Sequence, residues 1–344
     1  MNLTDTRAVG RSAVRITPLG LGGTALGNIY QAVTEADARA TIAAAYQAGV
    51  RYFDTAPLYG HGLSETRLGK GLAGLPRGEL VISTKVGYAL TPQAQTQAGS
   101  LGAFVDPLPN AISFDYSRDG ARRSLEGSLR RLQTDHVEIV LIHDPDESTS
   151  LERGVDPYAR SHFAEVMAGA YPALHDLRSQ GVIKAIGLGM NQWQMLLDFA
   201  RAGDFDCFLL AGRYTLLEQL EAAPLMEHCR DHQISLIIGG PYNSGILATG
   251  AVAGAYYNYS PAPDDVLAQV RRIEAVCARH AVPLAAAALQ FPLAHPAVAG
   301  VIPGARSAAE VAANVRLWQY PIPAIFWQEL RAEGLIAPDV PVPA

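Results

Sequence analysis

Residues 53–65 read FDTAPLYGHGLSE, an apolar run that ends in an acid and opens into a Pro- and Gly-bounded loop holding a tyrosine. The surrounding RYFDTA (51–56) has the aromatic and apolar character of a strand, and SETRLGKGLAG beyond the loop has helical spacing. Strands that leave a core usually end in small turn residues. Here Asp54 stands at the strand end and Tyr59 follows in the loop, so an acid and a phenol share one rim of the sheet this strand joins.

The strand–loop–helix unit recurs along the chain. ITPLGLGG (16–23), ELVISTKVG (79–87), VEIVLIHD (137–144), VIKAIGLG (182–189), FDCFLLAG (205–212), ISLIIGG (234–240) and VAGVIPG (298–304) read as further strands. Helical segments separate them, from TEADARATIAAAYQAG (34–49) through SRDGARRSLEGSLRRLQ, HFAEVMAGAYPALHDLRSQG, WQMLLDFARAG, LLEQLEAAPLMEHCRDH and SAAEVAANVR, and AIFWQELRAEG closes the chain. Eight strands, each followed by helix, predict one closed α/β barrel of the (β/α)8 type (a TIM barrel) over 1–344 as one domain. A short N-terminal hairpin in AVGRSAVRI and an additional C-terminal helix complete the expected fold. A six-stranded open sheet with a second domain is the alternative, but no Pro/Ser linker divides the chain. Residues 88–117 read as a long loop that, with YYNYSPAP (256–263), walls a pocket.

Composition narrows the partners. Hydrophobic residues make up 49%, the formal charge is −6, and no long Lys/Arg run occurs. That argues against nucleic acid or an anionic membrane surface and leaves a small molecule. MNLTDTRAVGRSAV lacks an apolar core of signal-peptide length, and no stretch approaches an uncharged membrane span. Cys207, Cys229 and Cys277 form no CxxC pair, so reduced thiols and a cytoplasmic location are expected, with no metal site. A monomer and a homodimer both fit.

In a barrel, function sits at the C-terminal ends of the strands. Asp54, Lys85 and His143 end the second, third and fourth strands, and Tyr59 lies just past the second. A tyrosine alone is a poor acid or base near neutral pH, its reference pKa being about 10. A buried ammonium beside it stabilises the phenolate, Lys85 can serve with its charge held by Asp54, and His143 can orient a substrate oxygen. Such a set suits carbonyl–alcohol redox chemistry with a hydride-carrying cofactor. Taken one at a time, the same residues also read as turn caps, packing or solvated strand ends.

Together these residues resemble the aldo-keto reductases. FDTAPLYGHGLSE is similar to that family's Asp-Thr-Ala…Tyr-Gly signature, and STKVG and LIHDPD resemble its Lys and His segments. IGLGMN, RYTLLEQ, GGPYNSGILATG and VIPGARSAAEVAAN fall in the same order, so the resemblance spans nearly the whole chain. It implies Asp54, Tyr59, Lys85 and His143 as catalytic tetrad and a nicotinamide cofactor held without a Rossmann domain. Gly20, Gly22 and Ala25 in PLGLGGTA mimic a dinucleotide fingerprint, but ALGNIYQAV reads as a loop where that motif needs a helix. The resemblance instead places Gly22, Thr24, Asp54, Asn191, Pro241, Tyr242, Asn243, Gly245, Leu247, Gly304, Arg306, Glu310 and Asn314 around the cofactor.

The departures are specific. Gly189-Met190-Asn191 stands where relatives carry Ser-Asn, the usual Gln is replaced near Ala211, and Gly239 takes the place of the tyrosine that stacks on the nicotinamide, leaving Tyr214 or Tyr242 to supply an aromatic. Gly304 occupies the place of the Lys, and Glu310 that of the Arg, by which NADP-preferring relatives hold the 2′-phosphate. NAD is therefore expected. NADP through Arg306 is the alternative, and an Arg306–Glu310 pair at i, i+4 is a third reading. Within the family the wording is most similar to a bacterial subgroup, the D-threo-aldose 1-dehydrogenases or L-fucose dehydrogenases, which oxidise a sugar at the anomeric carbon to the lactone. That implies Tyr59 as base and His143 aligning the oxygen; Phe104, Tyr116 and Trp193 can stack on a sugar's apolar face or on a pyridine ring, or serve as rim aromatics. Pyridoxal, a cyclic hemiacetal that would yield 4-pyridoxolactone, is the alternative substrate. General aldehyde or ketone reduction and a cofactor-binding regulatory subunit are further alternatives.

Overall fold

A computed structural model describes residues 2–93, 104–151 and 155–343. Eight parallel strands form one sheet: β1 (Leu21–Gly22), β2 (Tyr52–Asp54), β3 (Val81–Val86), β4 (Ile139–His143), β5 (Ala185–Met190), β6 (Cys207–Ala211), β7 (Ser235–Gly239) and β8 (Val298–Ile302). Each pairs with its neighbour in sequence, and the Leu19–Val301 and Gly22–Gly304 bridges join β8 back to β1, so the sheet closes into a barrel. Strands covered on both faces read as continuous apolar runs. β4 (IVLIH) is buried at every position.

Two cores follow from the two-residue period of a strand. Val140, Ile142, Ile186, Phe208, Leu210, Leu236 and Ile238 face outward and pack under the helices. Tyr52, Ile139, Leu141, Ala185, Cys207, Leu209 and Ile237 face inward and share a cluster with Val9, Val14 and Ile16. Those last three come from the antiparallel hairpin Arg7–Ala8/Arg15–Ile16, which plugs the N-terminal mouth of the barrel. Among the described residues, the C-terminal mouth is the one left open, crossed by a cleft.

Three described helices begin at capping side chains, two of them early in the chain. Thr34 Oγ1 accepts from Asp37 N at 3.0 Å ahead of α1 (Glu35–Gln47). The second helix, α2 (Leu63–Leu72), follows the Tyr59 loop, and Ser117 caps α3 (Arg118–Leu132) through Gly120 N at 3.0 Å. No helix among the described residues is long and apolar enough to cross a membrane. Cys207, Cys229 and Cys277 are buried and free.

Several segments depart from the sequence expectation. The expected first strand divides: Arg15–Ile16 enters the hairpin and Leu21–Gly22 the barrel. Pro18, which lacks an N–H, lies between them, and its carbonyl accepts from Val301 N at 2.8 Å. Within 88–117, Tyr88–Pro92 pairs antiparallel with Asn110–Phe114, so the described ends of this segment form a ribbon; residues 94–103 lie outside the described residues. The helix expected over 162–181 breaks at Gly169, where a Cβ would stand 2.4 Å from the Tyr116 carbonyl. The helix expected from Leu216 begins only at Ala223, with Pro224 in its first turn.

Candidate active site

Asp54, Lys85 and His143 lie at or near the C-terminal ends of adjacent strands and share the inward face with Tyr52, Ser83 and Leu141, two residues earlier in each case. Tyr59 arrives from the loop after β2. That loop packs backbone to backbone on the turn Ala25–Gly27: a Cβ on Gly27 would meet Tyr59 C at 2.6 Å, and one on Gly60 would meet Gly27 O at 2.5 Å. The two glycines let the loop approach closely enough to aim the phenol inward.

Lys85 and Asp54 form a buried ion pair. Lys85 Nζ donates to Asp54 Oδ2 at 2.7 Å and to Thr55 O at 2.9 Å, with Lys85 1% and Asp54 2% exposed. Below it, Ser83 Oγ donates to Asp54 Oδ1 at 2.6 Å, and Tyr52 OH lies 2.9 Å from Ser83 Oγ. Lys85 Nζ also sits 4.6 Å from the Tyr59 ring centroid. Burial works to lower the pKa of the ammonium, yet Asp54 and Tyr59 outweigh it and leave it raised, so Lys85 stays charged. For Tyr59, burial dominates: the phenol is pushed up to about 12 although the Lys85 charge and hydrogen bonds from Lys85 and Thr24 act to lower it. The expected drop toward working pH is thus not found, because desolvation of the phenolate exceeds what one shared cation returns.

His143 is neutral: burial, and then the Lys85 charge, hold its pKa well below the usual histidine range. Its ring meets Tyr59 edge-on at 5.7 Å and Tyr88 at 5.1 Å between centroids, and Phe104 lies 6.2 Å from Tyr59. Next to it, burial and then Asp146 push the Asp144 carboxyl up to about 7. Protonation stabilises this fold below the unfolded carboxyl value near 4, and that stability is lost as pH rises through about 7. Asp144→Asn, which keeps the neutral shape at every pH, is therefore expected to gain in Tm over the parent as pH rises from 5 to 8. Melting curves at both values test this, and a gap that does not widen would contradict it.

A cleft of about 590 Å³ crosses the open mouth, within the usual range for small-molecule sites. Of the residues expected around a cofactor, Gly22, Thr24, Asp54, Asn191, Pro241, Tyr242, Asn243, Gly245, Gly304, Arg306, Glu310 and Asn314 line it, as does Tyr59. Two others do not. Tyr214 turns into the core against Phe291 (5.5 Å) and His295 (5.6 Å), and Leu247 is fully buried among apolar side chains. Tyr242 is thus the aromatic of that expected pair on the cleft wall, its hydroxyl donating to Asn314 Oδ1 at 2.8 Å. Trp193 opens the helix Trp193–Ala202 and packs against the outer core. Tyr116 is fully buried, and its hydroxyl donates to the His143 and Asp144 carbonyls at 2.7 and 2.9 Å, which removes it from any stacking role.

The cleft suits an extended dinucleotide. Gly22, Gly239 and Gly304 keep its floor low, Asn191 reaches it while donating to Ala211 O at 2.8 Å, and the buried Arg306 Nε has no partner among the described residues. Glu310 does not pair with the Arg306 guanidinium: its carboxylate accepts from Arg306 N at 2.8 Å, and Ser307 Oγ accepts from Glu310 N at 3.2 Å, which caps the helix Ala308–Trp318. Ser83, Tyr52, Asp144 and Tyr88 were absent from the sequence expectation. For Ser83 and Tyr52 the signal was available, since they lie two residues before Lys85 and Asp54 on the same strand face.

Comparison with known proteins agrees with this geometry. A sequence profile of the Aldo/keto reductase family matches residues 18–333. The chain is 38% identical to a pyridoxal 4-dehydrogenase of Microbacterium luteolum, over 98% of this chain and 99% of that one. It is 36% identical to a D-threo-aldose 1-dehydrogenase of a Pseudomonas species, over 96% and 97%. Among solved structures, the holo form of an aldo-keto reductase from Bacillus halodurans aligns with a TM-score of 0.73 at 25% identity, covering 98% of each chain.

Proposed function

This chain belongs to the aldo/keto reductase family, and from that premise we propose that it oxidises an aldose of the D-threo or L-fucose type at the anomeric carbon, giving the lactone. Aldo-keto reductases are oxidoreductases that use NAD(P)H. The observation that carries the reading is the convergence of Tyr59, the buried Lys85–Asp54 pair and neutral His143 beside the cleft.

His143 donates a hydrogen bond to the hemiacetal oxygen and fixes it next to Tyr59. The Tyr59 phenolate takes the hydroxyl proton while the C–H bond breaks and the carbon–oxygen double bond forms. Lys85, held charged by Asp54, stabilises the phenolate, and Ser83 holds the second oxygen of Asp54. A bound oxidised nicotinamide would supply the hydride acceptor and a positive charge that favours the phenolate. Asn191, Tyr242, Asn243, Arg306 and Asn314 are the polar residues placed to hold it.

Pyridoxal is a second reading, favoured by the 38% identical relative and by the aromatic wall of Tyr88, Phe114 and Phe104 near His143, which suits a flat ring. Reduced-cofactor absorbance with L-fucose, D-arabinose, L-galactose, D-galactose and pyridoxal, each with NAD and NADP, separates the two. Turnover of pyridoxal alone would overturn the sugar assignment.

NAD is the proposed cofactor. Glu310 presents a carboxylate on the cleft wall, where a 2′-phosphate would be repelled, and Gly304 offers no cation. NAD is expected to bind at least about tenfold more tightly than NADP, equivalent to about 1.4 kcal/mol. Glu310→Gln retains a capping acceptor without the charge and should narrow that ratio several-fold. Titration of cofactor fluorescence tests both, and tighter NADPH binding by the parent would sink the assignment.

A further inference from the structure

β4 ends at His143, and Asp144 follows it at φ 40, in the left-handed region that a non-glycine side chain resists. Such strain persists only where the surroundings over-determine it, and it clusters at functional sites. Here the surroundings do so. Asp144 N donates to Gly189 O at 3.0 Å, and Tyr116 OH bridges the His143 and Asp144 carbonyls.

The resulting turn brings Asp144 Oδ2 to 3.6 Å from His143 Nε2, with the residue only 8% exposed. Oδ2 accepts from Ser148 Oγ at 3.1 Å and, through a long contact of 3.5 Å, from Tyr88 OH. Oδ1 accepts nothing from any described residue, and no described arginine or lysine forms an ion pair with the carboxylate. A carboxylate has about four acceptor sites, and these hydrogen bonds meet only those of Oδ2. This one therefore has acceptor capacity to spare beside the nitrogen that holds the reacting oxygen. The nearby cation, Lys85, is already engaged by Asp54 and Thr55.

We propose that Asp144 is a specificity-determining residue that accepts a hydrogen bond from a second substrate hydroxyl, the one adjacent to the hydroxyl being oxidised. The proposal rests on the reading above, in which His143 Nε2 holds the reacting oxygen. An oxygen bonded to that nitrogen lies about 2.9 Å from it, and an adjacent hydroxyl stands about as far again, within reach of a carboxylate 3.6 Å from the same nitrogen. Both candidate substrates carry a hydroxyl near the reacting one: the vicinal 2-hydroxyl of an aldose, or, one bond further along, the ring phenol of pyridoxal. The chain would thus select hydroxyl-flanked hemiacetals and discriminate against substrates with hydrogen in that place.

The test compares a substrate with its analogue lacking the adjacent hydroxyl: L-fucose with 2-deoxy-L-fucose, and pyridoxal with 3-deoxypyridoxal. Assayed at about pH 8, where Asp144, pushed up to about 7 by burial, is ionised, the parent enzyme should favour the hydroxylated member by about tenfold to a hundredfold in kcat/KM, the range of a hydrogen bond to a charged group. Asp144→Asn and Asp144→Gly both tolerate a left-handed φ, so they keep the fold while weakening or removing the acceptor. The preference should fall part-way in the Asn variant and approach one in the Gly variant. A preference that survives both, with the two substrates losing rate equally, would overturn the proposal and assign Asp144 to holding the turn. Reduction of glyceraldehyde against propionaldehyde reads the same contact in reverse. If no hemiacetal is oxidised yet the parent prefers glyceraldehyde and the variants do not, the substrate reading fails and the Asp144 contact stands. No preference in either direction overturns the contact itself.

Discussion

Tyr59→Phe is expected to lower kcat by a factor of about 10² to 10⁴, the usual contribution of a positioned proton-transfer group, while cofactor affinity changes by less than about twofold. The substitution removes one oxygen and leaves the ring, so the contacts to His143 and Phe104 at 5.7 and 6.2 Å survive. Packing is preserved and only the proton path is lost. Steady-state rates alongside fluorescence titration of the reduced cofactor separate these effects. A variant retaining more than about a tenth of parental kcat would remove Tyr59 from proton transfer, because a loss that small lies below what general acid–base catalysis supplies.

The second large effect concerns stability. Lys85 and Asp54 are nearly inaccessible to water, and their contact at 2.7 Å is what makes a charged lysine tolerable there. Removing one partner of a buried pair costs about 3–5 kcal/mol, because it leaves an uncompensated charge. Asp54→Asn and Lys85→Met should each lose stability of that order in urea denaturation. The double variant should recover much of the loss, since replacing both charges by groups of similar volume is often neutral. Activity should stay abolished in all three. If the single variants were as stable as the parent, the pair would not be the structural element its burial implies.

The placement of Asp54, Lys85 and His143 was legible because a barrel strand announces itself as an apolar run and its last inward residue sits at the C-terminal mouth. FDTA, STKV and LIHD each carry one titratable residue there, and the structure places all three side chains near Tyr59. Other readings depended on directions that a linear pattern leaves open. Tyr214 and Tyr242 are both tyrosines just past strand ends, but one enters the core beside Phe291 while the other reaches the cleft beside Asn314. Glu310 and Arg306 have the spacing of a helical ion pair, yet the carboxylate folds back onto a backbone N–H because Arg306 precedes the cap residue and is not on the helix. The ribbon at the described ends of 88–117 was hidden by a Gln- and Pro-rich composition that weakens any strand signal.

The sequence by itself determined the barrel, the titratable residues at its strand ends, and the family, because these follow from hydrophobic periodicity and from residue types at fixed spacing. The tertiary structure alone decided the electrostatic state of the site. Whether Tyr59 is raised or lowered depends on how far burial outweighs Lys85, and whether Asp144 is spare or spent depends on which hydroxyls reach it across the mouth. Those are differences between large opposing interactions of groups far apart in the chain. Their sign is set by distances of a few ångströms, which closing the barrel alone establishes.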